Sequence, residues 1–387
     1  MRILTVDIGT GTQDIFLYDS RLALENGFKL VLPSPTMMVH RRIKEASAHG
    51  SAILLFGDQM GGGPSAWAVE SHARLGLPVY ATPDAALTLD DDPARITAAG
   101  VRILSDGEAA KLPSDVERIR LGDFDFDAIT SVFGRFGVPL DDLDAVAVGV
   151  FDHGAAPPGI SDRQFRFDYL DRRIRENNAL SAFAFRAPDV PPVMSRLGAL
   201  ARSAAALNCP MVLMDTAPAA ILGATFDPVV AARDRKLIVN IGNFHALAFR
   251  LSIGSIEGLF EHHTGEIDLP RLESMLLALA DGTLKHEDVF NDMGHGALVY
   301  DARPLELGGD AYDVVVTGPR RGLYRQSMGQ PAPRLRPYFA VPFGDMMLTG
   351  CFGLLAATAD VLPDLAGTIR GSMHSNSASD RAPWEAD

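Results

Sequence analysis

Short blocks of apolar residues, separated by polar and glycine-rich turns, predict that strands and helices alternate along this chain. Near the N-terminus, Arg2–Asp7 and Gln13–Tyr18 have the composition of two strands joined by the tight turn Gly9–Thr12. Further strands are predicted at Phe28–Leu32, Ser51–Phe56, Leu77–Ala81, Val101–Leu104, Asp144–Phe151, Met211–Met214, Lys236–Ile241, His245–Leu251, Ser255–Phe260 and Asp313–Thr317.

Longer segments with apolar residues at helical spacing predict helices between these strands. They are Ser65–Leu75, Phe124–Phe136, Arg196–Leu207, Ala217–Ala224, Leu269–Ala280 and Met346–Ala359. The stretch Pro157–Pro192 is polar and interrupted by prolines. Repeated alternation of strand and helix predicts an α/β protein. We expect an N-terminal lobe over 1–205 with an inserted α/β segment, a C-terminal lobe over 206–370 and a flexible tail over 371–387.

Composition narrows the possible functions. The chain has 387 residues, of which 47% are hydrophobic, and its formal net charge is −14. This composition excludes a disordered or fibrous chain, and the acidic excess argues against a nucleic acid partner. No run of about 18 uninterrupted apolar residues occurs, so we expect no membrane association. A cytoplasmic location is therefore the expectation.

The chain has two cysteines, Cys209 and Cys351. Two are too few for a disulfide framework, a cysteine-based zinc site or a cysteine-ligated iron–sulfur cluster within one chain. The run C-x3-C-x2-C, which would bind a cluster for radical chemistry with S-adenosylmethionine, does not occur. The cysteine content therefore predicts a reducing compartment and argues against radical chemistry.

The segment Asp7–Asp14 is the first candidate for a binding site. Its glycines let backbone N–H groups point into one concavity and its threonine hydroxyls add donors, which suits phosphate oxygens. Asp7, at the end of a buried strand, would hold Mg²⁺ through water. The alternative is an ordinary hairpin whose glycines serve the turn geometry.

A second candidate is the loop that contains Gly61, Gly62 and Gly63, between a predicted strand and a predicted helix. Three glycines before a helix N-terminus favour anion binding, because unpaired N–H groups and the helix dipole attract negative charge. The alternative is a tight connection with Pro64 at the first helical position. The number of glycines favours a ligand contact.

Histidines and acidic residues form a third candidate. They are Asp152, His153, His262, His263, Asp292 and His295. His153 follows a predicted strand, where ligands of α/β proteins gather, and His295 lies between two glycines. Together these residues would supply a general base or the ligands of a divalent ion. The alternative is a set of unrelated surface histidines.

Five segments, in this order, resemble the ATP-binding signatures of the superfamily of actin, sugar kinases and heat-shock chaperones. Asp7–Asp14 resembles its first phosphate motif, D-x-G-T-x-x-x-D, and Val239–Asn243 its second. Asp215–Ala224 and Met347–Gly353 resemble the two connecting helices, and Val314–Pro319 the adenosine motif. The resemblance implies two ribonuclease-H-like lobes that flank a nucleotide cleft.

The resemblance also implies ATP and Mg²⁺ as cofactors, with Asp7 at the metal. The residues implied in binding the nucleotide are Asp7, Gly9, Thr10, Gly11, Thr12, Asp14, Asn240, Gly242, Asn243 and Gly318. Three features depart from the usual pattern. Asn243-Phe244-His245 stands where the second phosphate motif usually continues with Gly-Gly or Gly-Thr. Asn240 stands where the second phosphate motif usually has aspartate, which is expected to weaken Mg²⁺ binding. Pro319 replaces a second glycine in the adenosine motif.

At a finer level, the chain resembles a little-characterised prokaryotic family labelled as pyruvate formate-lyase activating proteins. The resemblance is carried by Met60–Pro64, Asp152–Gly154, His262–Gly265 and Gly294–Gly296, and it extends to about Arg370. The label implies radical chemistry that two cysteines cannot support, so it does not predict the mechanism.

These observations favour an ATP-binding enzyme that phosphorylates a small hydroxylated substrate. Asp152 would accept the proton of the attacking hydroxyl and His153 would contact the substrate. The remaining substrate-binding candidates are Gly61, Gly62, Gly63, His263, Asp292 and His295. Two alternatives stay open, a nucleotide-dependent activator of a partner enzyme and a binding module that does not hydrolyse nucleotide. The expected partners are a small-molecule substrate and either a second copy of the chain or an enzyme partner.

Overall fold

The computed structural model describes residues 1–157, 159–205, 207–309, 311–324, 332–374 and 384, and within them the strands form three sheets. The strands, β1 to β16 in chain order, are Arg2–Ile8, Thr12–Asp19, Phe28–Pro33, Ile53–Gly57, Val79–Ala81, Val101–Ile103, Glu117–Leu121, Ala145–Val150, Ala184–Arg186, Met211–Asp215, Arg235–Ile241, His245–Ser252, Ser255–His263, Gly296–Val299, Val314–Thr317 and Pro337–Phe339.

The helices cover the faces of these sheets. In chain order, α1 to α14 are Pro35–His49, Pro64–Arg74, Pro83–Ala86, Pro93–Ala98, Asp106–Ala109, Phe126–Arg135, Asp162–Glu176, Ser195–Ser203, Thr216–Ala224, Pro228–Ala231, Leu269–Ala280, His286–Phe290, Thr349–Val361 and Pro363–His374. Short 3₁₀ helices lie at Leu24–Asn26, Leu180–Phe183, Ala187–Asp189, Arg321–Tyr324 and Pro342–Gly344. In the described part of the chain, no helix combines the length and the apolar character needed to span a lipid bilayer.

Two of the sheets share a core of five strands with the same topology, and each has a sixth strand at a different edge. The first has the order β3-β2-β1-β8-β10-β9 and the second the order β14-β13-β12-β11-β15-β16. In the first sheet β2 is antiparallel to β1, whereas β8 and β10 run parallel to it. In the second sheet β12 is antiparallel to β11, whereas β15 and β16 run parallel to it. The orders β3-β2-β1-β8-β10 and β13-β12-β11-β15-β16 are those of the ribonuclease-H-like fold, so the predicted α/β class with two such lobes is confirmed.

A third, all-parallel sheet comes from the chain between β3 and β8. Its order is β6-β5-β4-β7, and α1 and α2 pack against each other beside it. The first sheet includes Met211–Asp215, beyond the predicted boundary at residue 205. The domain limits at 205 and 370 stay predictions. Of the predicted tail, residues 371–374 are the end of α14, and the rest apart from Trp384 lies outside the described residues.

The sequence prediction lacked α14 and the two longest helices, α1 and α7. The ends of α1 carry ordinary signals, because the Ser34 side chain accepts a hydrogen bond from the Met37 N–H and Gly50 ends the helix with a φ of 67°. Helix α7 lies within the stretch that was described only as polar and proline-interrupted. It is rich in charged residues, yet it buries Arg166 among Phe167, Tyr169 and Leu170. Such a helix gives a weak apolar periodicity.

Helices α9 and α13 connect the two sheets and touch at the level of their backbones. A Cβ atom on Gly223 would lie 1.7 Å from the Thr349 carbonyl oxygen, and one on Gly353 would lie 1.8 Å from the Ala219 carbonyl oxygen. Helix α13 also packs on β1 and β8, and α9 packs on β11. The small residues predicted in these two helices are therefore needed for the close approach.

We expect Gly353→Ala to lower the free energy of unfolding by about 1–3 kcal/mol, because the new methyl group has to push two helix backbones apart. Urea unfolding monitored by circular dichroism measures the change. Gly367→Ala in the exposed part of α14 is the matched control, since a Cβ there meets no atom within 4 Å. The control should gain about 0.5–1 kcal/mol from helix propensity. Equal stability of the two variants would contradict the described packing.

Candidate functional site

A cavity of about 690 Å³ lies at the carboxyl ends of β1, β8, β11 and β15. Asp7, Phe151, Asn240 and Thr317 mark these four strand ends in its wall. Open α/β sheets bind ligands at this edge, because the loops that follow parallel strands converge there. The cavity is therefore the candidate functional site.

Two hairpin turns face each other in this cavity. The turn between β1 and β2 is closed by a hydrogen bond from the Gly9 N–H to the Thr12 carbonyl, and the turn between β11 and β12 by one from the Gly242 N–H to the His245 carbonyl, both of 2.9 Å. A Cβ on Gly11 would lie 2.3 Å from the Asn243 amide nitrogen. The two turns are thus in direct contact.

Most of the residues predicted to bind nucleotide line the cavity. They are Asp7, Gly9, Thr10, Thr12, Asp14, Asn240, Gly242, Asn243 and Gly318. Gly11 lies behind the turn and lines a neighbouring, mainly apolar cavity of about 960 Å³ instead. The fold therefore brings together two motifs that are more than 200 residues apart in the sequence.

Asp7 and Asp14 form a buried pair of carboxylates at this end of the cavity. Asp7 accepts a hydrogen bond from the Thr216 hydroxyl. Burial raises the pKa of Asp7 to about 6, and burial together with the charge of Asp7 raises the pKa of Asp14 to about 8. Among the described residues, Oδ1 of Asp14 is buried without a hydrogen-bond partner. Asp7 and Asp14 form no ion pair with another described residue, and their oxygens are the donors that a hydrated Mg²⁺ requires, so the residues fit that ion.

Glycines at two positions give these side chains their space. A Cβ on Gly350, at the start of α13, would lie 1.8 Å from Oδ2 of Asp7. Gly318 has a φ of 95°, and a Cβ there would lie 2.3 Å from Oδ1 of Asn240. Both positions therefore require glycine, the second for backbone conformation as well as for space.

Asp152 lines the cavity, but both oxygens of its carboxylate accept hydrogen bonds from backbone N–H groups. Oδ1 accepts a hydrogen bond of 2.8 Å from the Gly154 N–H and Oδ2 one of 2.9 Å from the Leu197 N–H. Burial raises the pKa of Asp152 although these two bonds oppose the shift. The predicted general base therefore holds the loop after β8 against the start of α8.

The three glycines before α2 also line the cavity, and their loop is fixed by a buried ion pair. Arg196 donates to both carboxylate oxygens of Asp123, at 2.6 and 2.8 Å, and Asp123 also accepts from the Gly61 N–H at 3.2 Å. A Cβ on Gly61 would lie 2.6 Å from the Arg196 guanidinium. Sequence reasoning assigned no role to Arg196 or Asp123, because their pairing depends on the fold.

Four imidazoles meet beside the second turn. This histidine cluster consists of His153, His245, His263 and His295. The ring centroid of His295 lies 5.5 Å from that of His153, 5.0 Å from that of His245 and 4.7 Å from that of His263. Burial lowers the pKa of His153 to about 3 and the pKa values of the other three below the usual range, so the rings are neutral at pH 7.

The strand register explains this cluster. His245 on β12 is paired with His263 on β13, and Glu261 on β13 is paired with Gly296 on β14, which places His295 beside them. His153, His263 and His295 were predicted from the sequence, whereas His245 was noted only as a departure from the second phosphate motif. Its position shortly after Asn243, in the turn of the second phosphate motif, was the signal in the sequence that could have identified it as a site residue.

A buried network of charges lies next to the cluster. Arg166 is 1% exposed and donates to Asp215 at 2.6 Å, to Glu261 at 2.7 Å and to the Asp152 carbonyl at 2.9 Å. Its guanidinium lies over the ring of Phe151, 3.9 Å from the centroid. Burial raises the pKa of Glu261 to about 7 although Arg166 opposes the shift. Arg166 therefore connects α7 to both six-stranded sheets.

The structure places Asp292 apart from the cavity. Its carboxylate oxygen lies 3.3 Å from Nε2 of His262 and 3.2 Å from Nε of Arg271. The ring nitrogens of His262 lie 2.7 and 3.1 Å from the backbone carbonyls of Asp292 and His263. Asp292 and His262 thus fix the loop that carries His295, and the substrate contact predicted for Asp292 finds no support in this position.

A sequence model of the family described as "Putative pyruvate format-lyase activating enzyme (DUF1786)" matches residues 60–323, about two thirds of the chain. The chain belongs to this family. The matched segment of the DUF1786 chain includes the three-glycine loop, Arg166 and all four residues of the histidine cluster. No protein with a curated function matches the DUF1786 chain in sequence.

Solved structures similar to this DUF1786 chain share little sequence with it. One is the activator of the 2-hydroxyisocaproyl-CoA dehydratase from Clostridium difficile with bound ADPNP, at 10% identity and a TM-score of 0.34, with 98% of this chain and 100% of that chain covered. The ethanolamine utilization protein EutJ from Carboxydothermus hydrogenoformans has 10% identity and a TM-score of 0.31, with 92% and 89% covered. The ROK hexokinase from Thermus thermophilus has 14% identity and a TM-score of 0.28, with 95% and 100% covered. The fold assignment rests on the strand order, not on these weak similarities.

The cysteines of this DUF1786 chain do not form a cluster-binding set. The Cys351 thiol is fully buried and donates to the Asp14 carbonyl at 3.0 Å, and burial raises its pKa well above the usual range. Cys209 lies in the loop before β10. Thiolates bind iron–sulfur clusters, so a buried, protonated Cys351 does not suit the radical chemistry that the family label implies.

Proposed function

We propose that this protein binds ATP with Mg²⁺ in the cavity between its two six-stranded sheets and phosphorylates a small hydroxylated substrate. One observation carries the proposal. The turns Gly9–Thr12 and Gly242–His245, each closed by the same backbone hydrogen bond, touch each other in one cavity beside the carboxylates of Asp7 and Asp14. Paired turns with exposed N–H groups are suited to a chain of phosphates.

In this proposal, different residues of the cavity bind different parts of the nucleotide. Backbone N–H groups of the two turns would hold the phosphates, and Asp7 and Asp14 would hold the hydrated Mg²⁺. The loop that begins at Gly318, together with Met346 and Met347, would contact the nucleoside, since all three line the same cavity. When bound, ATP supplies the phosphoryl group for transfer.

The other end of the cavity would hold the substrate. Gly61, Gly62 and Gly63 line this end together with Ser195 and Arg196, which gives it polar groups suited to hydroxyl groups. Asp152 would act here by positioning the loop that carries His153, because both of its carboxylate oxygens already accept backbone hydrogen bonds.

The sequence left two alternatives open. An activator that shares an iron–sulfur cluster between two copies through both cysteines does not fit, because Cys351 is buried under β1 and β2. A module that binds nucleotide without hydrolysing it is favoured by one observation, the neutral Asn240 in the cavity wall where the superfamily usually has a carboxylate.

We expect ATP with Mg²⁺ to raise the melting temperature of the protein, because a ligand at 100 times its Kd stabilises the folded state by about 2.7 kcal/mol. Differential scanning fluorimetry with ATP, ADP and Mg²⁺ alone measures this shift. Release of phosphate is followed in parallel with sugars and polyols as acceptors. Binding without acceptor-dependent turnover would identify the non-hydrolysing module, and the absence of any nucleotide-dependent shift would refute the proposed function.

A further inference from the structure

We propose that His153, His245 and His295 bind one divalent transition-metal ion at the side of the cavity, with Zn²⁺ as the reference ion. No residue of this group was assigned to Mg²⁺ above, and the two sites use different donor atoms. The inference stands without the proposed nucleotide, because it concerns the metal alone.

The spacing of the three imidazoles carries the inference. One ligand nitrogen from each ring lies within 4.8 Å of the other two. Nitrogens bound to a tetrahedral zinc ion at 2.0–2.1 Å lie about 3.3 Å apart. Small rotations of the rings about their side-chain torsions are enough to bring the three nitrogens onto one ion.

His153 and His245 have ring nitrogens without a hydrogen-bond partner among the described residues. Nε2 of His245 is buried without a hydrogen-bond partner in the described part of the chain. His153 makes ring contacts with Phe151, His245 and His295, but no hydrogen bond to another described residue. A buried polar atom without a partner is costly, and a bound cation removes that cost.

Carboxylate and aromatic neighbours orient the rings as around known metal-binding histidines. Oε1 of Glu261 lies 3.1 Å from Nδ1 of His295, which leaves Nε2 of that ring for the ion. Glu261 is itself fixed by Arg166 at 2.7 Å. Phe151 stacks on His245 with a centroid distance of 4.2 Å.

The charges beside the rings act in both directions, because Arg166 adds to burial in lowering the pKa values of His153, His245 and His295, whereas its two partners are acidic. Arg166 carries one positive charge, and its partners Asp215 and Glu261 carry one negative charge each when ionised. The network can thus supply one net negative charge beside three neutral ligands, and this charge offsets part of a dication. Three imidazoles without an oxygen donor favour Zn²⁺, Co²⁺ or Ni²⁺ over Mg²⁺.

Three protein ligands leave one coordination position open, as in catalytic zinc sites. His153 and His245 line the main cavity, so the open position would lie beside that cavity. The ion would there polarise a substrate oxygen or a bound water. His263 stands next to the site, but Nδ1 of its ring is 2.8 Å from the Met293 carbonyl and the ring is excluded from the closest group of three.

The experiment uses the full chain after removal of metal with a chelator. Zn²⁺ is titrated against a chromogenic chelator, and Co²⁺ is added separately so that its visible ligand-field spectrum reports the geometry. We expect one ion per chain and a tetrahedral Co²⁺ spectrum. His153→Ala and His295→Ala should each lower the affinity by about 100-fold or more, since even a change in the second shell costs 10–100-fold.

Control variants test whether a loss of metal affinity is specific to the proposed ligands. His49→Ala, at an exposed position in α1, should leave the affinity unchanged, and His263→Ala should change it by less than His153→Ala and His295→Ala do. Asp7→Asn should keep zinc binding, whereas it should lose the effect of ATP, so failure of one site is distinguished from failure of the other. X-ray absorption of the zinc-loaded wild-type protein should show nitrogen neighbours at about 2.0 Å.

Two outcomes would overturn the inference. One is a wild-type protein that binds no more Zn²⁺ or Co²⁺ than the double variant His49→Ala/His153→Ala binds. The other is an affinity that His153→Ala and His295→Ala leave unchanged. If an alanine variant fails to fold, the Co²⁺ spectrum and the X-ray absorption of the wild-type protein decide, because neither depends on a variant.

Discussion

We expect Arg166→Met to lower the free energy of unfolding by about 3–5 kcal/mol, because it leaves two buried carboxylates without their cation. Asp215 and Glu261 both point at the Arg166 guanidinium, and Glu261 has no exposed surface. Methionine fills most of the space of the arginine stem but provides no donor. The unpaired charges then have to take up protons or break the packing of α7.

Urea unfolding of Arg166→Met, with circular dichroism and intrinsic fluorescence as probes, measures this loss. Arg172→Met is the matched control, since Arg172 lies on the same helix and is exposed. Its effect should stay within about 0.5 kcal/mol. Adding Glu261→Gln to Arg166→Met should recover part of the stability, because an amide costs less to bury than a carboxylate.

The network interpretation would be wrong if Arg166→Met and Arg172→Met had equal stability. It would also be wrong if Glu261→Gln added a further independent loss, since residues that share one interaction are not additive.

The second large effect is expected at Asp7, beside the two turns in the cavity. Asp7→Asn should weaken binding of ATP with Mg²⁺ by about 30-fold or more, because a charged hydrogen bond to a ligand or its metal water contributes about 2 kcal/mol. The ligand-free protein should lose little stability, since the change removes one of two neighbouring buried carboxylates. Affinity and stability would thus respond in different ways.

Isothermal titration calorimetry of ATP with Mg²⁺ and thermal melting of the free protein measure the two responses. Asp84→Asn, an exposed aspartate in α3, is the control and should leave both unchanged. If Asp7→Asn bound ATP with Mg²⁺ as tightly as Asp84→Asn does, the assignment of Asp7 to the metal would have to be withdrawn.

The fold was predictable to the extent that local patterns determine it. The strands that end at Ile8 and Ile241 are apolar runs followed by glycine turns, so their type and order could be predicted. Arg166 could not be found in this way. It lies in a polar segment, and its partners Asp215 and Glu261 are 49 and 95 residues away.

The site was predictable in its parts but not in its arrangement. The residues next to His263 and His295 in the sequence made them candidates for the site. Spacing along the sequence could not show that they lie close to His153. The register of β12, β13 and β14 brings them together and adds His245. Register depends on pairing between distant strands, which one sequence does not reveal.

The two touching turns make the cavity chemically asymmetric. Asp7, Gly9 and Thr12 of the first turn occupy the positions that Asn240, Gly242 and His245 occupy in the second, with the same closing hydrogen bond. At these equivalent positions the first turn has a carboxylate and a hydroxyl, whereas the second has an amide and an imidazole. The first turn therefore offers hard oxygen donors, and the second adds a softer nitrogen donor to the same cavity.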